Sequence, residues 1–336
     1  MSLGRRTGLQ EVAARAGVGV ATVDRVLNER GGVRVDTARR VIEAARALGL
    51  RRTLPLPYAR KARLDVLLAR LDTPFGLRLQ QAFARIAATL DRSVVVHRSV
   101  LDQSDPRLFA RRVRDSAADG LILYCEEHPA TLGAVAGAVA RGLPAICLTT
   151  DLPTAPRLAY VGIDHTRAGR TAALVAAMAA GRVGSALVLT SRLGYRAHRE
   201  RLDGFEAGLR LHAPAMRVAG VLHGEDDRDA CYRLVSRALR RDAGVTAIYN
   251  TAGANRAVAA ALRDANRAGS VAFVGHELTE ASAALLREGV MTLAIDQAPE
   301  LQARRSVEIM LKRLGMFEPE PPPADIPFTL HTRENA

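Results

Sequence analysis

Basic side chains are concentrated at one end of this sequence. Residues 1–63 contain fourteen arginines and lysines against five acidic residues, a net charge of +9 out of the formal +13 of the whole chain. Lysine occurs only at Lys61 and Lys312, so an arginine-rich genome composition accounts for part of the charge. An arginine guanidinium can donate two hydrogen bonds to one phosphate, and a basic cluster is typical of proteins that bind nucleic acids. The cluster therefore predicts contact with a phosphate backbone, and a solvated arginine-rich face is the alternative.

The residue types that perform catalysis form no recognisable pattern. The run GVGVAT at residues 17–22 does not fit GxGxxG, and neither GxxxxGK[ST] nor GxSxG occurs. The eight histidines, including His165, His198 and His276, lack paired metal-ligand spacing and are predicted to be surface or packing residues. We expect no enzyme, cofactor or metal ion, and an enzyme of an unrecognised type is the alternative.

Three short helical patterns occupy the first 50 residues. The runs LQEVAARA, VATVDRVLNE and VDTARRVIEAARALGL each repeat apolar residues at i, i+3 and i+4. Gly17 ends the first helix, where a positive φ is wanted, and only a short turn precedes the second helix. This pattern predicts a helix-turn-helix at residues 1–50. Its predicted core consists of Val12, Ala13, Ala16, Val18, Val23, Val26, Leu27, Val41, Ile42, Ala45 and Leu48.

From Leu64 onward, eleven short β-rich runs alternate with helical segments, an order typical of parallel α/β sheets. Two groups of about five strands predict two sheets side by side. The predicted domains are a linker at 51–62, a first lobe at 63–161 plus about 293–318, and a second lobe at 162–292 plus about 322–332. The run VMTLAI and the helix after it are expected to return to the first lobe.

No apolar run approaches the roughly 20 residues that span a bilayer. The N-terminal residues also lack the apolar core of a secretory signal. We therefore expect a cytoplasmic protein with no membrane partner.

The segment AGVGVATVDRVLN, followed by TARRVIEAARALGL, resembles the DNA-binding headpiece of the lactose-repressor (LacI/GalR) family over residues 8–50. The runs DGLILY, YVGIDHTRAGRTAA, RLDGFEAGL and FVGHELT are similar to that family's effector domain, itself similar to periplasmic sugar-binding proteins. The resemblance implies an all-α headpiece followed by a bilobed periplasmic-binding-protein-like domain with two Rossmann-like parallel sheets.

For DNA, the resemblance implies that the second helix enters the major groove. Val20, Ala21 and Arg25 would face base edges, while Thr22 and Asn28 would approach phosphates. For Val20, simple packing is an equal alternative.

Two departures from the family pattern affect the expected operator. Gly19 and Asp24 stand where the family usually has serine. Asp24 is expected to orient Arg25 or a neighbouring arginine, or to accept a hydrogen bond from a cytosine amine. Pro55 and Pro57 interrupt the usual hinge helix. Leu56 is the candidate minor-groove wedge, and a plain extended linker is the alternative.

For the effector, the resemblance implies ligand contacts at strand ends facing a cleft between the lobes. The matching positions are Asp72, Phe75, Arg201, Asn250, Glu277 and Gln297. Carboxylate, guanidinium and amide groups suit vicinal hydroxyls, and an aromatic ring suits the apolar face of a sugar. Glu277 stands where the family usually has aspartate, and Asn255 is the alternative to Asn250, or a helix cap. Arg192 and Tyr195 are weaker cleft candidates, with a surface position favoured for both.

The resemblance thus implies a homodimeric regulator, or a tetramer, that binds a pseudopalindromic operator in double-stranded DNA. Repression is favoured over activation. The expected effector is a sugar, a sugar acid or a cyclitol, with a solute-binding protein for sugar uptake as the alternative.

Overall fold

The computed structural model describes residues 8–28, 30, 32–50, 62–69, 73–91 and 93–336. The chain divides into two compact units. The first unit comprises Met1–Ala62 with Asp91–Val94, and the second comprises Arg63–Leu90 with Val95–Ala336.

The first unit contains three helices, α1 (Leu9–Ala16), α2 (Val20–Leu27) and α3 (Val35–Ala47). Gly17 ends α1 at φ 64°, a left-handed conformation that costs glycine little, and its N–H bonds back to carbonyls of the last turn. The chain then turns within three residues into α2. Nine of the eleven predicted core residues are buried in one cluster, and Val18 and Leu48 pack against it partly buried. The apolar period of the sequence therefore predicted this small core.

The second unit contains two mostly parallel sheets. All eleven predicted strand runs form strands, and the first sheet has the order β2-β1-β3-β4-β5, the second β11-β10-β9-β8-β6-β7. The first sheet consists of β1 (Ala62–Leu68), β2 (Val94–Val100), β3 (Gly120–Tyr124), β4 (Ala145–Leu148) and β5 (Ala159–Val161). The second consists of β6 (Ser185–Thr190), β7 (Arg217–His223), β8 (Val245–Asn250), β9 (Ala272–His276), β10 (Leu293–Asp296) and β11 (Thr329–His331).

Nine helices connect these strands in the described part of this unit. They are α4 (Pro74–Thr89), α5 (Pro106–Arg114), α6 (Pro129–Ala140), α7 (His165–Ala179), α8 (Arg196–His212), α9 (Arg228–Arg241), α10 (Asn255–Asp264), α11 (Glu280–Arg287) and α12 (Pro299–Arg313). Helices α7 to α11 accompany the second sheet, whereas α12 packs against α4, β4 and β5 of the first. We call the two halves the first and second lobes.

One predicted assignment is wrong. The strand β10, expected in the first lobe, pairs in parallel with β9 and antiparallel with β11, so it belongs to the second lobe. The chain crosses back one step later, between β10 and α12. An apolar run shows that a strand is buried but does not show which neighbour it pairs with, and so the crossing was misplaced.

Because β3 and β4 of the first sheet run parallel to each other, as do β8, β9 and β10 of the second, their carboxyl ends meet along one edge of each sheet. Residues that follow β3, β4, β8, β9 and β10 therefore lie at the edges where ligands bind in open α/β sheets. Within the described part of the chain, no helix is long and apolar enough to span a bilayer.

Candidate functional site

The exposed face of α2 carries the residues expected to read DNA. Val20 is 42% exposed, and Ala21 and Arg25 are also exposed, while Val23, Val26 and Leu27 on the opposite face are buried. The packing alternative for Val20 therefore has no support, since its side chain lies outside the core. Arg25 is exposed on this face and forms no ion pair with the described residues.

Asp24 is engaged within the same unit. Its Oδ1 accepts from Asn28 Nδ2 at 2.6 Å, and its Oδ2 accepts from Arg30 at 3.0 Å. The carboxylate thus orients a neighbouring arginine, one of the roles expected for it. Thr22 and Asn28 are half-buried beside the exposed face. Leu56, the proposed wedge, lies outside the described residues.

In the second unit, a pocket lies between the two lobes at the carboxyl ends of their strands. Its walls come from both lobes and include Thr73, Phe75, Tyr124, Thr149, Tyr195, Ala197, His198, Arg201, Asp226, Ala252, Gly253, His276, Glu277 and Gln297. We call this pocket the cleft. Of the six expected ligand residues, Phe75, Arg201, Glu277 and Gln297 line it. Asp72 lies outside the described residues.

Arg201 is the most buried charge in the cleft, at 3% exposed. Its Nε donates to His165 Nδ1 at 3.1 Å, one Nη donates to the Thr251 carbonyl at 2.6 Å, and the other donates to Gln297 Oε1 at 3.0 Å. These three bonds fix the plane of the guanidinium, and two of its five N–H groups have no acceptor among the described residues. All three acceptors are uncharged.

His165 accepts through Nδ1, so its proton is on Nε2, which lies 2.6 Å from the Thr149 carbonyl oxygen. Burial, reinforced by the Arg201 charge, holds the pKa of His165 well below its usual value. The same two causes lower the pKa of His276. Both rings are therefore neutral at physiological pH.

Glu277 is a buried carboxyl group at the end of β9. Its Oε1 accepts from Gln297 Nε2 at 2.5 Å, and its Oε2 lies 3.5 Å from Arg78. Burial, with a contribution from the nearby Asp296 carboxylate, raises the pKa of Glu277 to about 8. Arg78 itself is paired with Asp296 at 2.5 Å and with Glu300 at 2.9 Å. Glu277 is consequently mostly protonated and uncharged at neutral pH.

Five side chains connect the cleft to the segments that cross between the lobes. Arg201 donates to the Gln297 side chain, and Gln302 Nε2 donates to the Gln297 carbonyl at 2.8 Å. Gln302 Oε1 accepts from Thr149 Oγ1 at 2.8 Å. The Thr149 carbonyl oxygen is hydrogen-bonded to His165 Nε2, and His165 Nδ1 accepts from Arg201, so these hydrogen bonds form a closed ring. We call Thr149, His165, Arg201, Gln297 and Gln302 the crossover ring. The crossover ring thus connects Arg201 in the cleft to the segment in which the chain crosses between β10 and α12.

Ion pairs also join the lobes at the edge of the cleft. Arg192 bonds to Glu126, and Arg199 bonds to Glu127, in each case an arginine of the second lobe to a carboxylate of the first. Gly194 lies between them, and a Cβ at this position would meet Glu126 Oε2 at 2.4 Å. A larger residue at this position would therefore displace the Glu126 side chain from its place beside Gly194.

Asn250 does not line the cleft. Its Nδ2 donates to Asn255 Oδ1 at 2.7 Å and to the Ala252 carbonyl at 3.2 Å, so the side chain closes its own loop. Asn255 in turn donates to the His276 carbonyl at 2.8 Å and lines an extension of the pocket. The structure thus places Asn255 nearer the pocket than Asn250.

Several cleft residues were not anticipated. His198 and His276 line the cleft, and the buried His165 orients Arg201, so these three histidines take part in the cleft in addition to packing. Tyr195, favoured as a surface residue, is buried in the cleft wall, where its ring packs 5.4 Å from that of Tyr124. The position of His276 at the end of a buried strand was the signal that could have found it.

Comparison with known families divides the chain in the same way. Residues 8–52 match the family of bacterial regulatory proteins, lacI family, and residues 65–316 match the periplasmic binding protein domain.

Two curated relatives are regulators by name. The HTH-type transcriptional regulator RegA of Clostridium saccharobutylicum is 29% identical over 119 residues, 34% of this chain and 36% of that protein. The ribose operon repressor of Halalkalibacterium halodurans is 28% identical over 120 residues, 35% of this chain and 36% of that protein. The aligned stretch thus spans about a third of the length of these relatives.

Among solved structures, a solute-binding protein of an ABC transporter from Burkholderia graminis C4D1M, in complex with D-arabinose, has a TM-score of 0.74. It is 21% identical, and the alignment covers 82% of this chain and 97% of that one. This likeness concerns the fold of the second unit.

Proposed function

Because the chain belongs to the periplasmic binding protein domain family and carries a lacI-family helix-turn-helix, we propose that it is a ligand-responsive transcription regulator. The observation that carries the proposal is the presence of two different sites on one chain: an α2 face with an exposed Arg25, and a polar cleft between two lobes. A solute-binding protein for sugar uptake accounts for the cleft but leaves the helix-turn-helix without a role. The names of the two curated relatives also favour a regulator.

In detail, the protein is a cytoplasmic homodimer that represses transcription without enzymatic activity. Two headpieces bind the half-sites of a pseudopalindromic operator, because a two-fold symmetric dimer matches a two-fold symmetric DNA sequence. Val20, Ala21 and Arg25 face base edges, and Thr22 and Asn28 approach phosphates.

The cleft binds a small hydroxylated metabolite through Phe75, Arg201, Glu277 and Gln297, with Tyr124, Tyr195 and His276 added from the structure. A ligand that prefers one arrangement of the lobes shifts the population toward it and so changes operator affinity.

The proposal is tested by selection from a pool of random double-stranded DNA with the full chain. We expect enrichment of a pseudopalindromic sequence. Ala21→Glu should abolish the enrichment, since it puts a carboxylate on the exposed face of α2 without disturbing the core. Met178→Glu, at a 64% exposed position on α7, introduces the same charge elsewhere and serves as the control. The proposal fails if nothing is enriched, or if both variants enrich the same sequence as the wild type.

A further inference from the structure

The arginine at the base of the cleft has no ion-pair partner in the described part of the chain. Among the residues that the structure describes, no carboxylate lies within salt-bridge distance of Arg201, although this guanidinium is almost fully buried. A buried charge without a counter-charge is costly unless a partner supplies one. The cationic fork is nevertheless held in place by three bonds to neutral acceptors.

The other carboxyl groups that the structure describes in the cleft form no ion pair with Arg201. Glu277 is bound to Gln297 and keeps its proton at neutral pH, because burial raises its pKa to about 8. Asp226 is half-buried, and its Oδ1 accepts from the Gly253 backbone N–H at 2.8 Å. Glu126 and Glu127 are paired with arginines of the opposite lobe.

A second donor has no acceptor. His276 lines the cleft, and its Nε2 lies 2.7 Å from the Tyr249 hydroxyl. Tyr249 is fully buried and has this ring nitrogen as its only hydrogen-bond partner among the described residues, so its proton points to Nε2 and the ring proton is on Nδ1. His276 Nδ1 is buried and, within the described part of the chain, without a hydrogen-bond partner. It joins two Arg201 N–H groups as a donor that lacks an acceptor.

Three aromatic rings also line the cleft. Phe75 and Tyr124 pack edge to face with ring centroids 6.1 Å apart, and Tyr195 continues the wall beyond Tyr124. Aromatic faces of this kind cover the C–H face of a sugar ring or of an extended polyol chain. Protonated Glu277 and the amide of Gln297 can exchange hydrogen bonds with hydroxyl groups.

From this arrangement we infer that the effector is anionic: a hydroxylated carboxylate, such as a uronate or an aldonate, whose carboxylate pairs with Arg201. The carboxylate accepts hydrogen bonds from both remaining N–H groups of the Arg201 guanidinium. The hydroxyl oxygens of a neutral sugar are uncharged and form weaker hydrogen bonds with the same groups. The inference rests on the proposed function only in taking the cleft as the effector site.

The test uses pairs of ligands that differ at one group. Calorimetry and thermal shift at pH 7 compare D-galacturonate with D-galactose, D-glucuronate with D-glucose, and D-gluconate with D-glucitol, on the full chain. We expect at least one acid to raise the Tm and to bind at least tenfold more tightly than its neutral partner. The inference is overturned if no acid of the three pairs binds at least tenfold more tightly than its neutral partner.

Substitutions at Arg201 test whether the preference for the acid depends on the guanidinium group. Arg201→Gln should remove the advantage of the acid, and Arg201→Lys should keep part of it, because the charge remains without the bidentate geometry. Arg210→Gln removes the same charge from an exposed position on the same helix and should leave the preference unchanged. If Arg201→Gln does not fold, the Arg201→Lys comparison and the ligand pairs still decide the question.

Failure of this inference is distinguishable from failure of the proposed function. A chain that selects a pseudopalindromic DNA but prefers neutral sugars overturns only the ligand class. A chain that binds acids but selects no DNA keeps the ligand class and loses the regulator.

Discussion

Arg25 and Arg201 are both arginines, but their surroundings give them different chemistry. Arg25 is exposed on α2, where we expect it to reach a base edge. Arg201 is buried and held by three neutral acceptors, so its orientation is fixed before any ligand arrives. Fixing a fork in advance lowers the entropic cost of binding.

Replacing Arg25 with alanine should relax base preference at one position in each half-site. A bidentate contact to guanine discriminates by about 1–3 kcal/mol, so the best sequence should lose about that much affinity. Arg15→Ala removes the same charge from an exposed position on α1 and should weaken binding to all sequences alike. Competition binding to single-base variants of the selected DNA measures both. An unchanged base preference in Arg25→Ala would remove this residue from sequence reading.

The raised pKa of Glu277 predicts a pH dependence of stability. The unfolded chain loses this proton near the ordinary value of 4.5, whereas the folded protein keeps it up to about 8. Between these values the folded state binds more protons, so this group's contribution to the free energy of unfolding falls as the pH rises. Arg78, Asp296 and Arg201 are the charged groups that face Glu277.

Glu277→Gln removes the titration, so its stability relative to the wild type should rise between pH 6.5 and 8, by at most about 1.4 kcal/mol per pH unit. We expect His165 and His276 to titrate alike in both proteins, so their contributions cancel from the difference in the free energy of unfolding. Urea unfolding at several pH values and constant ionic strength measures the effect. A difference that stays constant over this range would contradict the assigned protonation of Glu277.

At the scale of elements, the position of Arg201 depends on the close packing of α7 against α8. A Cβ on Gly204 would meet the Thr166 carbonyl oxygen at 2.2 Å, and one on Gly169 would meet the Arg201 carbonyl oxygen at 2.2 Å. Both of these oxygens belong to the backbone of the neighbouring helix, and they cannot move unless that helix moves with them. The glycines therefore set the distance between the two helices that carry His165 and Arg201.

Gly204→Ala should push α8 away from α7 and displace Arg201, which lies one turn earlier on α8. Overpacking of this kind costs about 1–3 kcal/mol of stability, and ligand affinity should fall as well. Gly133→Ala on α6, where a Cβ meets nothing within 4 Å, is the matched control and should be neutral or stabilising. Thermal unfolding and calorimetry compare the two. Equal stabilities would show that the α7 and α8 packing tolerates a methyl group.

Periodicity in the sequence was enough to predict the three headpiece helices and the eleven strand runs, because burial of one face leaves a regular pattern. It could not place β10, since an apolar strand is compatible with either sheet. It also missed the roles of His165 and His276, which depend on groups that are far away in the chain. Arg201 and Gln297 were found through motif resemblance, whereas the orientation of Asn250 depends on a local loop that no motif describes.

At the scale of the whole molecule, the crossover ring connects ligand contacts to lobe movement within the second unit. Gln302 bridges Thr149 of the first lobe to the Gln297 carbonyl, where the chain crosses over. Breaking this bridge leaves two buried polar groups without partners, each at a cost of about 1–3 kcal/mol.

Gln302→Met should therefore lower stability and, in addition, reduce the effect of ligand on DNA affinity. Gln81→Met, at an exposed position on α4, provides the control for side-chain type. The ratio of DNA dissociation constants with and without ligand is the quantity to compare. If Gln302→Met keeps the wild-type ratio, the ring does not transmit lobe movement.

The most direct test of the account is whether ligand and DNA affinities depend on each other. Anisotropy measurements on the full chain give the Kd of the selected DNA with and without a saturating amount of the tightest ligand from the paired panel. We predict a change of about 5-fold to 150-fold, with the ligand Kd altered by the same factor when DNA is bound. Arg201→Gln should remove this coupling while keeping DNA affinity. A DNA Kd that is the same in the free and ligand-saturated protein would contradict the account.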